Sequence, residues 1–215
     1  MTRKMFRFLF WVALVTGLVI GFLRLTAIRW WRVPNDDPYL TASLSPSVRP
    51  GDLILLWRLT RPGFSDLVLC PEPKHPGRVV IGRIAAVGRD ELEVNGADLK
   101  VNRVRQSVGG NCPERTFVEK DPGTGFETTQ SCSIEELGGG TNFRGELVPE
   151  AVRPADVKTI VPDNHVWLVS DNRQFPYDSR DFGAVPQETC AETVFFRLVG
   201  AKGFFDASTR NQYIR

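Results

Sequence analysis

The feature that most constrains the fold is an uncharged apolar run, Phe8–Leu23. As a helix this run would span about 24 Å, slightly less than the roughly 30 Å hydrocarbon core of a bilayer. Arg7 and Arg24 can extend their side chains toward the interfaces, so residues 5–28 could serve as the full span. The sequence therefore predicts one transmembrane helix, from Met5 to Ile28, that tethers the rest of the chain.

The flanks of the apolar run bear on how it sits in a membrane. Trp30 and Trp31 follow it, and tryptophan is typical of the headgroup level. A cleaved signal peptide is the alternative, but no small-x-small motif follows the run, which favours an uncleaved anchor. Basic residues do not decide the orientation, because they flank both ends in equal number: Arg3, Lys4 and Arg7 before the run, and Arg24, Arg29 and Arg32 after it.

The 215-residue chain leaves enough polypeptide after this helix for one domain with a core. Its 27 Lys and Arg residues nearly balance 25 Asp and Glu residues, for a net charge of +2. With no basic stripe beyond the N-terminal cluster and the flanks of the apolar run, this balance disfavours a nucleic-acid partner. Nineteen glycines and 15 prolines are typical of a folded, loop-rich β-domain.

Beyond the linker Pro34–Pro38 the helical periodicity is lost, and short apolar runs alternate with Gly, Pro and Asp. This pattern predicts a mainly β domain over residues 39–215. Asn95-Gly96, between two of the runs, predicts a tight hairpin. The predicted strands are Asp52–Leu59, Leu67–Cys70, Val79–Val87, Glu91–Val94, Leu99–Val101, His165–Val169 and Val194–Leu198.

Residues 103–153 are polar and Gly-rich, and they include the run Gly138-Gly139-Gly140. We interpret them as a loop-like insertion that decorates the core, with one hairpin near Phe126–Ile134. Such long insertions are typically functional or mobile.

Four cysteines are present without any Cys-x-x-Cys pair, so no metal site is predicted. Cys112 and Cys132 both lie in the insertion and are the predicted disulfide if the domain is outside the cytoplasm. Cys70 lies in an apolar run and is interpreted as a buried core thiol.

A candidate nucleophile follows the predicted membrane helix. Residues 43–47 read Ser-Leu-Ser-Pro-Ser and lead into Gly51-Asp52. Serines are common in loops, so composition alone favours a plain linker. A serine nucleophile also needs a base. The two histidines, His75 and His165, lie in loop or turn contexts, so a Ser-His-Asp triad is not indicated.

Two further motifs lie near the C-terminal end. Residues 171–173 read Asp-Asn-Arg, and residues 178–183 read Asp-Ser-Arg-Asp-Phe-Gly. Together with the spacing of Ser43, Pro46 and Gly51-Asp52, these motifs resemble those of type I signal peptidases, and the resemblance spans nearly the whole chain.

The resemblance implies a signal-peptidase-like β-domain with a Gly-rich insertion and no cofactor. Ser43 would be the nucleophile, and the hydroxyl of Thr41 would contribute to the oxyanion hole. Residues implied to contact substrate are Leu44, Ile81, Gly82 and Ile84. Residues implied to support the site are Asp171, Asn172, Arg173, Asp178, Ser179 and Arg180.

The resemblance also implies a catalytic lysine, and this chain lacks it. Signal peptidases use a buried lysine as the general base, and Gly82 occupies that position here. Arg83 cannot replace it, because a guanidinium stays protonated and the next strand position points to the opposite face. Lys74 is the closest lysine in sequence. The family's serine that binds the lysine corresponds to Pro176, so both groups are missing together.

The sequence leaves three functions open. The first is a membrane-anchored serine endopeptidase that removes signal peptides from exported preproteins held beside residues 79–87. The second is a catalytically silent relative that binds a preprotein or a membrane protein. The third is a structural subunit of an envelope complex. In each case the resemblance implies a single-pass protein of the inner membrane, in contact with lipid, with its β-domain on the periplasmic or extracellular side.

Overall fold

A computed structural model of the chain describes residues 3–138, 140–147 and 156–214. The described helices are α1 Arg3–Thr26, α2 Pro38–Leu44 and α3 Ser179–Phe182, with one 3₁₀ turn at Gln187–Thr189. At 24 residues, α1 is about 36 Å long and none of its side chains is buried by the protein. It has the length and composition of a membrane span. The chain is thus a membrane-anchored β protein.

The strands follow one another along the chain, most of them separated by short turns. In chain order they are β1 Ile28–Arg32, β2 Leu53–Trp57, β3 Leu67–Pro71, β4 Val79–Val87, β5 Glu91–Asn95, β6 Asp98–Val101, β7 Val104–Arg105, β8 Ser107–Lys120, β9 Glu127–Leu137, β10 Gly140–Glu146, β11 Val157–Ile160, β12 His165–Val169, β13 Val185–Pro186, β14 Glu192–Val199 and β15 Gln212–Tyr213.

The end of the membrane helix differs from the prediction by two residues. The helix ends at Thr26, whereas Ile28 begins β1 and pairs with Trp57 of β2. Trp30 and Trp31 belong to the same strand, opposite Leu55 and Ile54. The β-domain therefore starts at Ile28, directly after the anchor and before the predicted linker Pro34–Pro38.

The main sheet carries the candidate site. Its strands follow the order β1-β2-β14-β3-β4-β12-β13, with β15 paired to β14. Strand β4 pairs with β3 along residues 79–83 and with β12 along residues 83–87. A second sheet of order β11-β5-β6-β7 contains the predicted Asn95-Gly96 hairpin.

The insertion is more ordered than its composition predicts. Strands β8, β9 and β10 form a three-stranded antiparallel sheet in place of one hairpin in a loop. The alternation of buried and exposed residues that marks a strand is hard to recognise in this sequence, because β8 buries only Cys112 and Phe117. The predicted subregion also contains residues 139 and 148–153, which lie outside the described residues.

Both faces of the main sheet are covered. On one face, Leu40 and Leu44 of α2 pack against Ile81 of β4. On the other, Ile84 of β4 packs with Leu168 of β12 and Phe182 of α3. Because side chains alternate along a strand, adjacent positions of β4 face different hydrophobic clusters.

Two disulfides join the four cysteines. Cys112 is bonded to Cys132 and links β8 to β9. Cys70 is bonded to Cys190, so the interpretation of Cys70 as a core thiol is wrong, although its burial is as expected. The sequence conceals this pair because 120 residues separate its members, and only the pairing of β3 with β14 brings them together.

Candidate active site

The helix that carries Ser43 is short and fixed at its N-terminus. Asp37 caps it by accepting a hydrogen bond from the Leu40 amide at 3.0 Å, and Pro38 occupies the first turn. Arg78 holds the second carboxylate oxygen of Asp37 at 2.7 Å. Asn172 donates through its side chain to the Ala42 carbonyl at 2.9 Å. The helix is thereby attached to the segment that carries the Asp-Asn-Arg motif.

The hydroxyl of Ser43 is directed inward. Its side chain is fully buried, and Oγ donates to the Leu40 carbonyl at 2.8 Å. The hydroxyl of Thr41 likewise donates to the Pro38 carbonyl at 3.2 Å. Both groups that the resemblance assigns to catalysis are therefore engaged with the backbone of their own helix.

The missing side chain at position 82 points away from the α2 cluster. A Cβ built on Gly82 would lie 3.0 Å from Cβ of Leu168 and 3.4 Å from the carbonyl oxygen of Val169. Its neighbour Ile81 packs on the opposite face, against Leu40 and Leu44. Leu44 and Ile81 thus lie in one hydrophobic cluster, whereas Ile84 lies in another. All four residues predicted to contact substrate, these three and Gly82, are buried.

We expect Gly82→Lys to destabilise the protein. The new Cβ would crowd Leu168, and overpacking of this kind costs about 1–3 kcal/mol. A thermal melt of the detergent-solubilised chain measures the loss. Gly82→Ala is the matched variant. It adds the same Cβ without the amine, so it separates the crowding of Leu168 from any effect of the lysine side chain. An unchanged melting temperature for both variants would show that the site has room for a side chain.

Arg83 is buried and forms a structural ion pair. Its Nε and Nη2 each lie 2.8 Å from the carboxylate of Asp171, and Nη1 donates to the Ser65 carbonyl at 2.7 Å. Both paired side chains are at most 1 % exposed. The bidentate geometry fixes the start of the Asp-Asn-Arg motif against β4.

The Asp-Ser-Arg motif forms the N-terminus of α3. Asp178 caps the helix in a capping box with Asp181. Burial opposes ionisation of Asp178, but the charge and hydrogen bonds of Arg180 outweigh it and lower the pKa of this carboxyl. Ser179 accepts a hydrogen bond from the Leu168 amide at 2.9 Å. These residues brace the site, and none of them contacts Ser43 in the described part of the chain.

The insertion supplies partners that sequence analysis did not anticipate. Buried Glu135 of β9 binds Arg173 at 2.5 Å. Glu119 of β8 accepts a hydrogen bond from Ser45, and burial raises the pKa of Glu119. Neither glutamate stands in a recognisable motif, so only the tertiary structure identifies them. The three-stranded sheet is thereby tied to both sides of the candidate site.

A second unanticipated network surrounds Glu72, at the end of β3. The buried carboxylate accepts from the Tyr177 hydroxyl at 2.7 Å, contacts His75, and lies 3.5 Å from Arg78. Nearby, Lys74 donates to the Asp181 carbonyl. Lys74 and His75 are the candidates closest in sequence to the missing base, and each of them is bound to a partner other than Ser43.

The Glu72 network predicts a pH-dependent contribution to stability. Burial opposes ionisation of Glu72, but hydrogen bonds from His75 and Tyr177 and the charge of Arg78 outweigh it, so the pKa lies below the ordinary value of 4.5. Because folding lowers this pKa, the ionised carboxylate stabilises the folded protein at pH values above its unfolded-state pKa. The stabilisation is lost as the pH falls through the folded-state pKa. Urea unfolding should therefore show a stability advantage over Glu72→Gln at pH 7 that shrinks below about pH 4.5. An advantage independent of pH would contradict this assignment.

No metal centre is formed by the described residues. Within residues 3–138, 140–147 and 156–214, no three His, Cys, Asp or Glu side chains are placed to hold a metal ion.

The fold and site define a class of protein: a membrane-anchored β-domain that carries a serine on a short buried helix, braced by two arginine–aspartate pairs. The sequence matches the family model for signal peptidase, peptidase S26, over residues 5–199. A curated relative, signal peptidase I of Aquifex aeolicus (strain VF5), is 27% identical over 207 aligned residues, covering 83% of this chain and 78% of the relative. The chain belongs to the signal peptidase S26 family.

Proposed function

We propose that this chain is a catalytically silent member of its family that binds an exported polypeptide without cleaving it. The proposal rests mainly on Gly82, which occupies the position where the resemblance places the general-base lysine. Loss of a general base typically costs about 10²- to 10⁴-fold in rate. The engagement of the Ser43 hydroxyl with Leu40 supports the same conclusion.

The bracing pairs support a retained scaffold. Arg83–Asp171 and Arg180–Asp178 hold the two C-terminal motifs in place. A chain that keeps the scaffold and lacks the base and its orienting serine fits a binding role better than a hydrolytic one.

We also propose an inner-membrane location with the β-domain on the periplasmic or extracellular side. The disulfides Cys70–Cys190 and Cys112–Cys132 support this orientation, because such bonds persist in oxidising compartments and are rare in the cytosol. Lipid contact then involves α1, whose apolar side chains are exposed.

Co-elution of a preprotein with the full chain in detergent tests the binding role. We expect an intact preprotein, by mass, in the fractions that contain the chain, and the same result for Ser43→Ala. Shortened preprotein that depends on Ser43 would identify an active peptidase instead. Absence of co-elution would favour a structural subunit that does not bind preproteins.

A further inference from the structure

Strand β10 has one edge that no described strand fills. It pairs with β9 on one side only, and at its far end Gly145 exchanges backbone hydrogen bonds with Asp171 and Arg173, at 2.9 and 2.8 Å, on the other side. Backbone groups of alternate residues point to the same edge of a strand. Thr141 and Phe143 therefore direct their N–H and C=O groups to the edge that Gly145 uses.

A cavity of about 250 Å³ adjoins this edge. One wall is β10 itself, and the opposite wall comes from β14, the C-terminal strand and the loop after Ser43. Its lining combines apolar and polar side chains, among them Pro46, Ser47, Ile134, Phe143, Arg197 and Ile214.

Three buried polar atoms in residues of the lining have no hydrogen-bond partner, and one of them, Nε of Arg197, is ion-paired with Asp52 at 2.7 Å. The other two are Oγ of Ser47 and Oδ1 of Asn142, in residues 7% and 2% exposed. Nδ2 of Asn142 faces the Glu135 carboxylate at 3.2 Å, which fixes the orientation of the amide and leaves Oδ1 as an acceptor. Both oxygen atoms are closed off from solvent, so a bound peptide would reach them only after their side chains turned toward the cavity.

The cavity continues along β10. A second cavity of about 570 Å³ shares Thr141 and Ile214 with the first and is lined further on by Phe64, Leu67 and Val194. The two together form a groove along β10, with apolar side chains spaced along it. An extended peptide places alternate side chains on one face, so a single strand could fill both cavities.

We propose that this β10 groove, formed by Ser47, Ile134, residues 141–143 and Ile214, binds an extended apolar segment of an exported polypeptide by strand addition to β10. The inference rests on the proposed function, because it supplies the binding step. A peptide fits better than a lipid chain, since the edge offers the backbone donors and acceptors of Thr141 and Phe143 in strand register.

The test uses the full chain in detergent micelles and a fluorescein-labelled peptide of alternating valine and threonine. Fluorescence anisotropy should show saturable binding, and hydrogen exchange should show protection of the Thr141 and Phe143 amides. Phe143→Lys removes an apolar wall and adds a charge to the edge. Thr141→Pro removes an outward N–H that the β9–β10 pairing does not use. Each should weaken binding by at least about tenfold, Thr141→Pro through a lost backbone hydrogen bond and Phe143→Lys through lost apolar contact and an added charge.

Phe126→Lys is the matched control, because Phe126 is exposed near the β8–β9 turn, away from the groove, and its replacement should leave binding unchanged. Absence of saturable binding, or equal affinity in wild type, Phe143→Lys and Thr141→Pro, would overturn the proposal. So would a peptide-free dimer dispersed by Phe143→Lys, since a second copy would then fill the edge. Preprotein cleavage would refute catalytic silence alone and leave these binding results to decide the groove.

Discussion

Asp171→Ala should lower the free energy of unfolding by about 3–5 kcal/mol, the range observed when one partner of a buried ion pair is removed. The reason is the position of Arg83, whose guanidinium is fully buried and would lose both of its bonds to a carboxylate. The Ser65 carbonyl would remain as its partner and cannot neutralise the charge. Urea unfolding followed by tryptophan fluorescence, on the detergent-solubilised chain, measures the change.

The matched control is Asp163→Ala. Asp163 also pairs with an arginine, Arg89, at 2.7 Å, but the two side chains are 60% and 83% exposed. Exposed pairs contribute about 0–1 kcal/mol, so this variant should unfold almost as the wild type does. Equal losses in the two variants would show that burial of the Arg83 pair carries no special weight.

Replacement of both Cys70 and Cys190 by alanine should destabilise the protein by about 4–5 kcal/mol, because the bond closes a loop of 120 residues. It joins β3 to the segment before β14 within the main sheet, so reduction should affect the whole β-domain. Thermal melts with and without reductant, read for the wild type and the double variant, measure the effect. The reduced wild type should approach the reduced double variant, because reductant also opens Cys112–Cys132 in both.

The second disulfide provides the comparison. Cys112 and Cys132 are separated by 20 residues, so their replacement should cost about 1.5 kcal/mol less than that of the first pair. Larger destabilisation from the shorter loop would contradict the loop-closure explanation and would indicate that the insertion stabilises the site more than the main-sheet bond does.

Local sequence patterns predict the elements whose burial follows from local composition. Strands β4 and β12 have the predicted bounds, because continuous apolar runs flanked by turn residues indicate buried strands. The regular structure of the insertion is underestimated, because a strand such as β8, with few buried residues, shows no alternation of apolar and polar residues in the sequence. Short-range signals therefore describe the core of the domain better than its decorations.

In the candidate site, too, local motifs are predictable from the sequence and long-range contacts are not. The motifs identify Ser43, Gly82 and the two C-terminal boxes. They do not identify the partners of these residues, since Glu72, Glu119 and Glu135 are brought to the site only by strand pairing and by the packing of the insertion. Nothing in the sequence indicates that the hydroxyl of Ser43 binds its own helix.

Single-turnover incubation of a preprotein with an excess of the purified full chain tests catalytic silence most directly, because it detects even slow cleavage. A signal peptidase that carries the lysine serves as the positive control, and Ser43→Ala sets the background. The structure predicts that wild type and Ser43→Ala leave the preprotein equally intact. Cleavage by the wild type that disappears in Ser43→Ala would contradict the proposal and would require a base other than residue 82.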